Sequence, residues 1–234
     1  WPDEKMARQQ MRSLIPYVDL MKISDEETEL LTDEKEVEKY LGKEIYSLNN
    51  NTYSNTIGIV NALSYTTIGG ELLKIEINTY KGNGNIITTG LLGDVFKESV
   101  KIALSYIKSN CDKLKIDFDM LNNIDIHLHV PEGAVKKEGP SAGIAITTAL
   151  ISALKNKQIS SYLALTGEIT LRGNILPVGK IKEKIIGASN NNIKKVILPK
   201  ENEKDVEVLD EVIKKNIKFV YVSNYEEVLK EIKL

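Results

Sequence analysis

Eight consecutive residues, Ile144-Ala145-Ile146-Thr147-Thr148-Ala149-Leu150-Ile151, are apolar or nearly so all the way round a helix. Such a segment has no solvent face, so the chain must build a core around it. Directly before it stands Gly139-Pro140-Ser141-Ala142-Gly143. This spacing predicts a helix over residues 141–155 with Ser141 on its first turn, where N–H groups lack intrahelical partners and the dipole is positive. Pro140 suits the first helical position, and Gly139 lets the chain turn into it without a Cβ clash. A nucleophile and donors for an oxyanion would then come from one short segment held by a rigid support. Ordinary helix capping uses the same residue types, so the pentapeptide alone does not decide between the two.

A serine nucleophile needs a base. The two histidines, His127 and His129, lie in Ile124-Asp125-Ile126-His127-Leu128-His129-Val130. Strict alternation there predicts a half-buried strand with Asp125, His127 and His129 on one face. A Ser-His-Asp triad is conceivable, but any polar strand face gives the same pattern. As metal ligands the two imidazoles lack a third partner, and Cys111, the single cysteine, offers no ligand spacing. A lysine is the other candidate. Its amine ordinarily titrates near about 10.4, and bringing that down by about two pH units costs about 3 kcal/mol of burial or charge repulsion. Leu176-Pro177-Val178-Gly179 turns into the amphipathic segment Lys180 to Ala188, in which Ile181, Ile185 and Ala188 share an inward face flanked by Lys182 and Lys184. Gly187 and Ala188 leave room for another segment to approach the Lys184 stem. Spacing does not choose between the two lysines, and both could simply snorkel.

These motifs together carry a resemblance. His129-Val130-Pro131-Glu132-Gly133-Ala134 through Gly139-Pro140-Ser141-Ala142-Gly143, then Leu165-Thr166-Gly167-Glu168, then Leu176-Pro177-Val178-Gly179-Lys180-Ile181-Lys182-Glu183-Lys184, closely resemble the proteolytic domain of the Lon ATP-dependent proteases. Ala62-Leu63-Ser64-Tyr65 with Gly69-Gly70, Thr89-Gly90-Leu91-Leu92-Gly93-Asp94 and Val196-Ile197-Leu198-Pro199 extend the match over about residues 55–234. The resemblance implies a serine-lysine dyad, with Ser141 as nucleophile and Lys184 as general base, 43 positions apart (184 minus 141). It also implies that Thr166 orients the amine, that the backbone N–H groups of Ser141 and Ala142 form the oxyanion hole, and that His129 and Glu138 support the site. Glu138 stands where an aspartate is expected, and Thr67 where an acidic residue is common. No metal and no cofactor are expected in this chain; ATP and Mg2+ belong to a separate ATPase module that feeds unfolded polypeptide to the domain. A homo-oligomer, a hexameric ring, is the implied assembly, in the bacterial cytoplasm or the mitochondrial matrix. The alternative is a non-catalytic Lon-like oligomerisation scaffold, which has no need of both dyad residues.

Composition is consistent with this. The 234 residues are 42% hydrophobic and 27% charged, with 31 basic against 33 acidic side chains. That balance gives no signal for nucleic acid, and no apolar run reaches the length of a membrane span. The lone cysteine suits a reducing compartment. Beginning at Trp1, the chain reads as a fragment or processed product. Residues 1–48 read as a helical segment that more loosely resembles the tail of the ATPase module, followed by the polar linker Asn49 to Asn55. Beyond it the order is α+β, with mixed sheets and packed helices. Strands are expected at 57–64, 72–79, 124–130, 163–166, 195–198 and 218–222, and helices at 94–109, 141–155, 181–190, 201–214 and 225–232. Gly82-Asn83-Gly84-Asn85 lacks the length and lysine of a phosphate loop and reads as a turn between strands.

Overall fold

Alternate residues of the central strands bury into two different cores, and this split organises the molecule. In the computed structural model, residues 55–66, 69–131 and 136–233 are described, all within one compact unit spanning 52–234; the segment 1–48 and Thr67 lie outside the described residues. The strands are β1 (Thr56–Ile57), β2 (Ile59–Tyr65), β3 (Gly70–Lys81), β4 (Ile86–Thr89), β5 (Ile124–His129), β6 (Gln158–Ile159), β7 (Leu163–Leu165), β8 (Glu168–Ile169), β9 (Ile175–Leu176), β10 (Lys195–Pro199) and β11 (Lys218–Val222). The helices are α1 (Asp94–Ser109), α2 (Cys111–Leu114), α3 (Phe118–Asn122), α4 (Gly143–Lys155), α5 (Ile181–Asn190), α6 (Glu203–Glu207), α7 (Glu211–Lys214) and α8 (Tyr225–Ile232). Seven strands form one mixed sheet in the order β11-β10-β7-β2-β3-β5-β4. β11, β10, β7 and β2 run parallel, β3 is antiparallel to both β2 and β5, and β4 lies parallel to β5.

On one face, Ala62, Leu73, Leu163, Leu165 and Ile197 pack with α1, α4 and α8. On the other, Leu63, Ala164, Val196 and Leu198 pack with Ile181, Ile185 and Ala188 of α5. Period-two alternation along each strand thus sends neighbouring side chains to opposite layers. Every residue from Gly143 to Ser152 in α4 is buried, as its all-round apolar character requires. The two helices that matter most, α4 and α5, therefore lie on opposite sides of the sheet. They can share a site only at the end of a strand.

Several expectations change. Helix α4 begins at Gly143, not at residue 141, because the Gly143 N–H closes a turn onto the Pro140 carbonyl at 3.0 Å. Pro140 sits in that turn and not at the first helical position; Gly139, at φ +91°, makes the turn the sequence anticipated. The stretch expected as one helix over 201–214 is instead a 3-10 turn (Lys200–Asn202), α6 and α7. Asp210 breaks it by adopting an extended backbone and receiving the Ile213 and Lys214 N–H groups on its carbonyl. Asp125 accepts the backbone N–H groups of Asn83 and Asn85 at 2.8 and 2.9 Å, and Gly82 and Gly84 donate to the Asn123 and Ile124 carbonyls. The turn at 82–85 therefore has no N–H left to cradle a phosphate. It is also not a hairpin, since β5 lies between β3 and β4. Among the described residues no helix is long and apolar enough to cross a membrane.

Candidate active site

The meeting point is the carboxyl end of β7, the innermost of the parallel strands with β10 on one side and β2 on the other. Thr166 follows it directly, fully buried, its N–H bonded to the Ile197 carbonyl at 3.1 Å. From one face of the sheet comes the turn before α4. Ser141, half-buried, is fastened there by its carbonyl, which accepts the Gly167 N–H at 2.7 Å and the Thr166 hydroxyl at 3.3 Å. The Ile144 N–H returns a bond to the Gly167 carbonyl at 3.1 Å, so this glycine brackets the turn from both sides. A side chain at Gly143 would crowd the Ile169 nitrogen at 2.9 Å, so the approach also requires glycine there.

From the other face comes α5. Its amphipathic pattern buries Ile181, Ile185 and Ala188 as expected and, one step round the helix, Lys184, while Lys182 stays exposed. Lys184 is 1% exposed. Its Nζ donates to Thr166 Oγ1 at 2.9 Å. The polarity of this chain of bonds is fixed, because the Ser141 carbonyl can only accept and the Thr166 hydroxyl has one proton to give it. Thr166 must then receive an N–H from the amine. Burial alone pushes the Lys184 amine down from its ordinary 10.5 to about 8, with no charged neighbour contributing. A neutral amine with one N–H committed to Thr166 keeps a lone pair free to take a proton.

The histidine row is placed differently. His127 Nε2 and His129 Nδ1 both meet the Thr89 hydroxyl, at 2.9 and 2.7 Å, across the β4–β5 pair. The N–H groups of Asn85 and Asn83 hold the Asp125 carboxyl below its usual range. These three residues share the strand face the alternation anticipated, and among the described residues none of them hydrogen-bonds Ser141 or Lys184. Glu138 is exposed and pairs with Lys136 at 2.5 Å, beside Gly93. Ser141, Thr166 and Lys184 are brought together; His129 and Glu138 are not joined to them by any hydrogen bond.

The backbone around Ser141 is unevenly satisfied. Gly143 and Ile144 donate as described, whereas the N–H groups of Ser141 and Ala142 donate to no other described residue. The donors left open thus lie in the turn before the helix and not in its first turn. Two positioning residues were not anticipated. Gly167 was visible within the Thr-Gly-Glu motif, but its bracketing role is a matter of tertiary contact. Asn202, buried, grips the Val178 backbone at both N–H and carbonyl, each at 2.9 Å, and so fixes the loop entering α5.

Comparison with known proteins accords with these motifs. Residues 31–234 match the family model of the Lon protease (S16) C-terminal proteolytic domain. The chain is 47% identical to the Lon protease of Mycoplasma mycoides over 206 residues, 88% of this chain and 26% of that protein. It is 43% identical to Lon protease 1 of Bacillus subtilis over 207 residues, 88% of this chain and 27% of that protein. With the Lon protease of Clostridioides difficile it shares 45% identity over 203 residues, 87% of this chain and 26% of that protein. The chain thus spans about a quarter of the length of these relatives, and over that span it belongs to the Lon protease C-terminal proteolytic domain family, a family of serine peptidases.

Proposed function

We propose that this domain hydrolyses peptide bonds through Ser141 and Lys184. Neutral Lys184 takes the proton of the Ser141 hydroxyl as Oγ attacks the scissile carbonyl carbon. The tetrahedral oxyanion is held by the open N–H groups of Ser141 and Ala142. The Lys184 ammonium then returns the proton to the departing amine, leaving an ester on Ser141, and a water molecule activated by the same amine hydrolyses that ester. Thr166 keeps the amine aimed by occupying one of its N–H groups. The observation that carries this reading is a lysine only 1% exposed whose one polar partner among the described residues is a hydroxyl bonded to the Ser141 backbone. A scaffold would gain nothing from so costly a burial.

Unfolded polypeptide is the substrate class, and a homo-oligomeric, hexameric ring is the assembly. ATP and Mg2+ act only through a separate ATPase module. The relatives compared are bacterial, which favours the cytoplasm as compartment. The test is mass spectrometry after treatment with a fluorophosphonate. A single adduct on Ser141, absent from Ser141→Ala and strongly reduced in Lys184→Met, is the expected result. An adduct on another serine, with Ser141 unlabelled, would overturn the assignment.

A further inference from the structure

Helix α5 lies against the β2–β3 hairpin so closely that two glycines meet by their backbones. A Cβ on Gly70 would fall 1.7 Å from the Glu183 carbonyl oxygen and 3.0 Å from the Gly187 nitrogen. One on Gly187 would fall 2.5 Å from the Gly70 carbonyl carbon. Contacts under 3.0 Å are essentially never made by real Cβ atoms, and here each obstacle is backbone, which cannot swing aside. Gly70 does not adopt a positive φ, so it is space and not conformation that demands glycine. The carbonyl that Gly70 admits belongs to the peptide unit joining Glu183 to Lys184.

We propose that Gly70 is a positioning residue for the base: its missing side chain lets the Glu183–Lys184 peptide seat on the hairpin. That seat sets how deeply the Lys184 amine is buried and whether it reaches Thr166. The inference rests on the serine-lysine reading for its catalytic meaning, but the seat itself is a matter of geometry. The surrounding charges do not provide an alternative cause. Lys180 caps α5, which itself carries Lys182 and Glu183; β3 carries Glu71, Lys74, Glu76 and Lys81, β2 and β7 carry no charged side chain, the adjoining α6 and α7 carry Glu203, Lys204, Asp205, Glu207, Glu211 and Lys214, and the amine is nevertheless held down by burial alone. Lifting α5 by a methyl group would let water reach the amine and lengthen its bond to Thr166.

The test is a lysine ¹³Cε NMR titration of the full chain, with the Lys184 resonance assigned by its loss in Lys184→Met. The wild-type midpoint is expected at about 8. In Gly70→Ala it should move up toward the ordinary 10.5, and in Gly187→Ala it should move less far in the same direction. The pH-rate profile of peptide cleavage should move alkaline in step. A folded Gly70→Ala with an unmoved Lys184 midpoint overturns the proposal. Should that variant not fold, an unmoved midpoint in Gly187→Ala overturns it equally. The titration needs no turnover, so absence of Ser141-dependent cleavage would sink the peptidase reading while leaving this test standing.

Discussion

Two rows of polar side chains in this domain could each be read as acid–base machinery: Ser141, Thr166 and Lys184 at the end of β7, and Asp125, His127 and His129 along β5. They differ in where their hydrogen bonds go. In the β5 row the hydrogen bonds stay local: one ring nitrogen of each histidine meets Thr89, and one Asp125 carboxylate oxygen accepts the Asn83 and Asn85 backbone N–H groups. In the β7 group a single amine, withdrawn from water, reaches one hydroxyl, which reaches the Ser141 backbone. The lesson is that residue type alone is a poor guide to chemistry. Histidine is the commoner base, yet here the unusual environment belongs to a lysine.

The comparison can be broken most severely at Ser141. Ser141→Ala should lower kcat/KM for a fluorogenic peptide by at least about 10⁴-fold and leave the melting temperature nearly unchanged, because α4 begins two residues later and Ser141 makes no capping bond. Next in size is Lys184→Met, with an expected loss of about 10³- to 10⁴-fold, the upper range for a general base. Thr166→Val keeps the shape and removes the hydroxyl, leaving the amine without its acceptor; a loss on the order of 10²-fold in kcat with little change in KM is expected. The smallest effect sharpens the contrast from the other side. His127→Ala should alter kcat/KM by less than about 3-fold, since this half-buried side chain hydrogen-bonds Thr89 and, among the described residues, neither Ser141 nor Lys184. A silencing histidine variant beside a mild lysine variant would reverse the roles of the two rows.

Burial of Lys184 also has a consequence for stability. Its folded value, about 8, lies below its ordinary 10.5, so between those values the unfolded state binds more protons than the native one. Stability should therefore rise with pH across that window. Below about pH 8 the amine is charged in both states, and the whole penalty of burying the charge, about 3 kcal/mol, is present. Lys184→Met should flatten this dependence. Thermal melts of the two proteins from pH 7 to 10.5 check it, and parallel curves would remove desolvation of this lysine from the account.

Much of this was legible in the chain because the deciding patterns are local. The all-round apolar run fixed α4 as central, and α1 (Asp94–Ser109), α5 (Ile181–Asn190) and α8 (Tyr225–Ile232) fall where their 3.6-residue periodicity puts them. β4 and the two-residue strands of the small ribbons were not foreseen, since so few residues carry no usable period. The break at Asp210 was a capping signal inside an otherwise helical pattern. At the site, periodicity placed Lys182 and Lys184 symmetrically beside the inward face, and only the lie of α5 against Gly70 separates them. The start of α4 was missed by two residues because the Pro140–Gly143 turn depends on Gly167, which arrives from a different strand. Carbonyl anchors of this kind leave no mark on residue type. Family resemblance supplied the pairing of Ser141 with Lys184 that no spacing could.

The central claim is that a buried, neutral lysine serves Ser141, and the pH dependence of Ser141 acylation by a fluorophosphonate tests it most directly. The rate in the wild type should rise through an apparent pKa of about 8 and level off above it, and in Lys184→Met the residual rate should lack that inflection. An inflection near about 6.5, where an imidazole base titrates, retained in Lys184→Met and lost in His127→Ala or His129→Ala, would contradict the account.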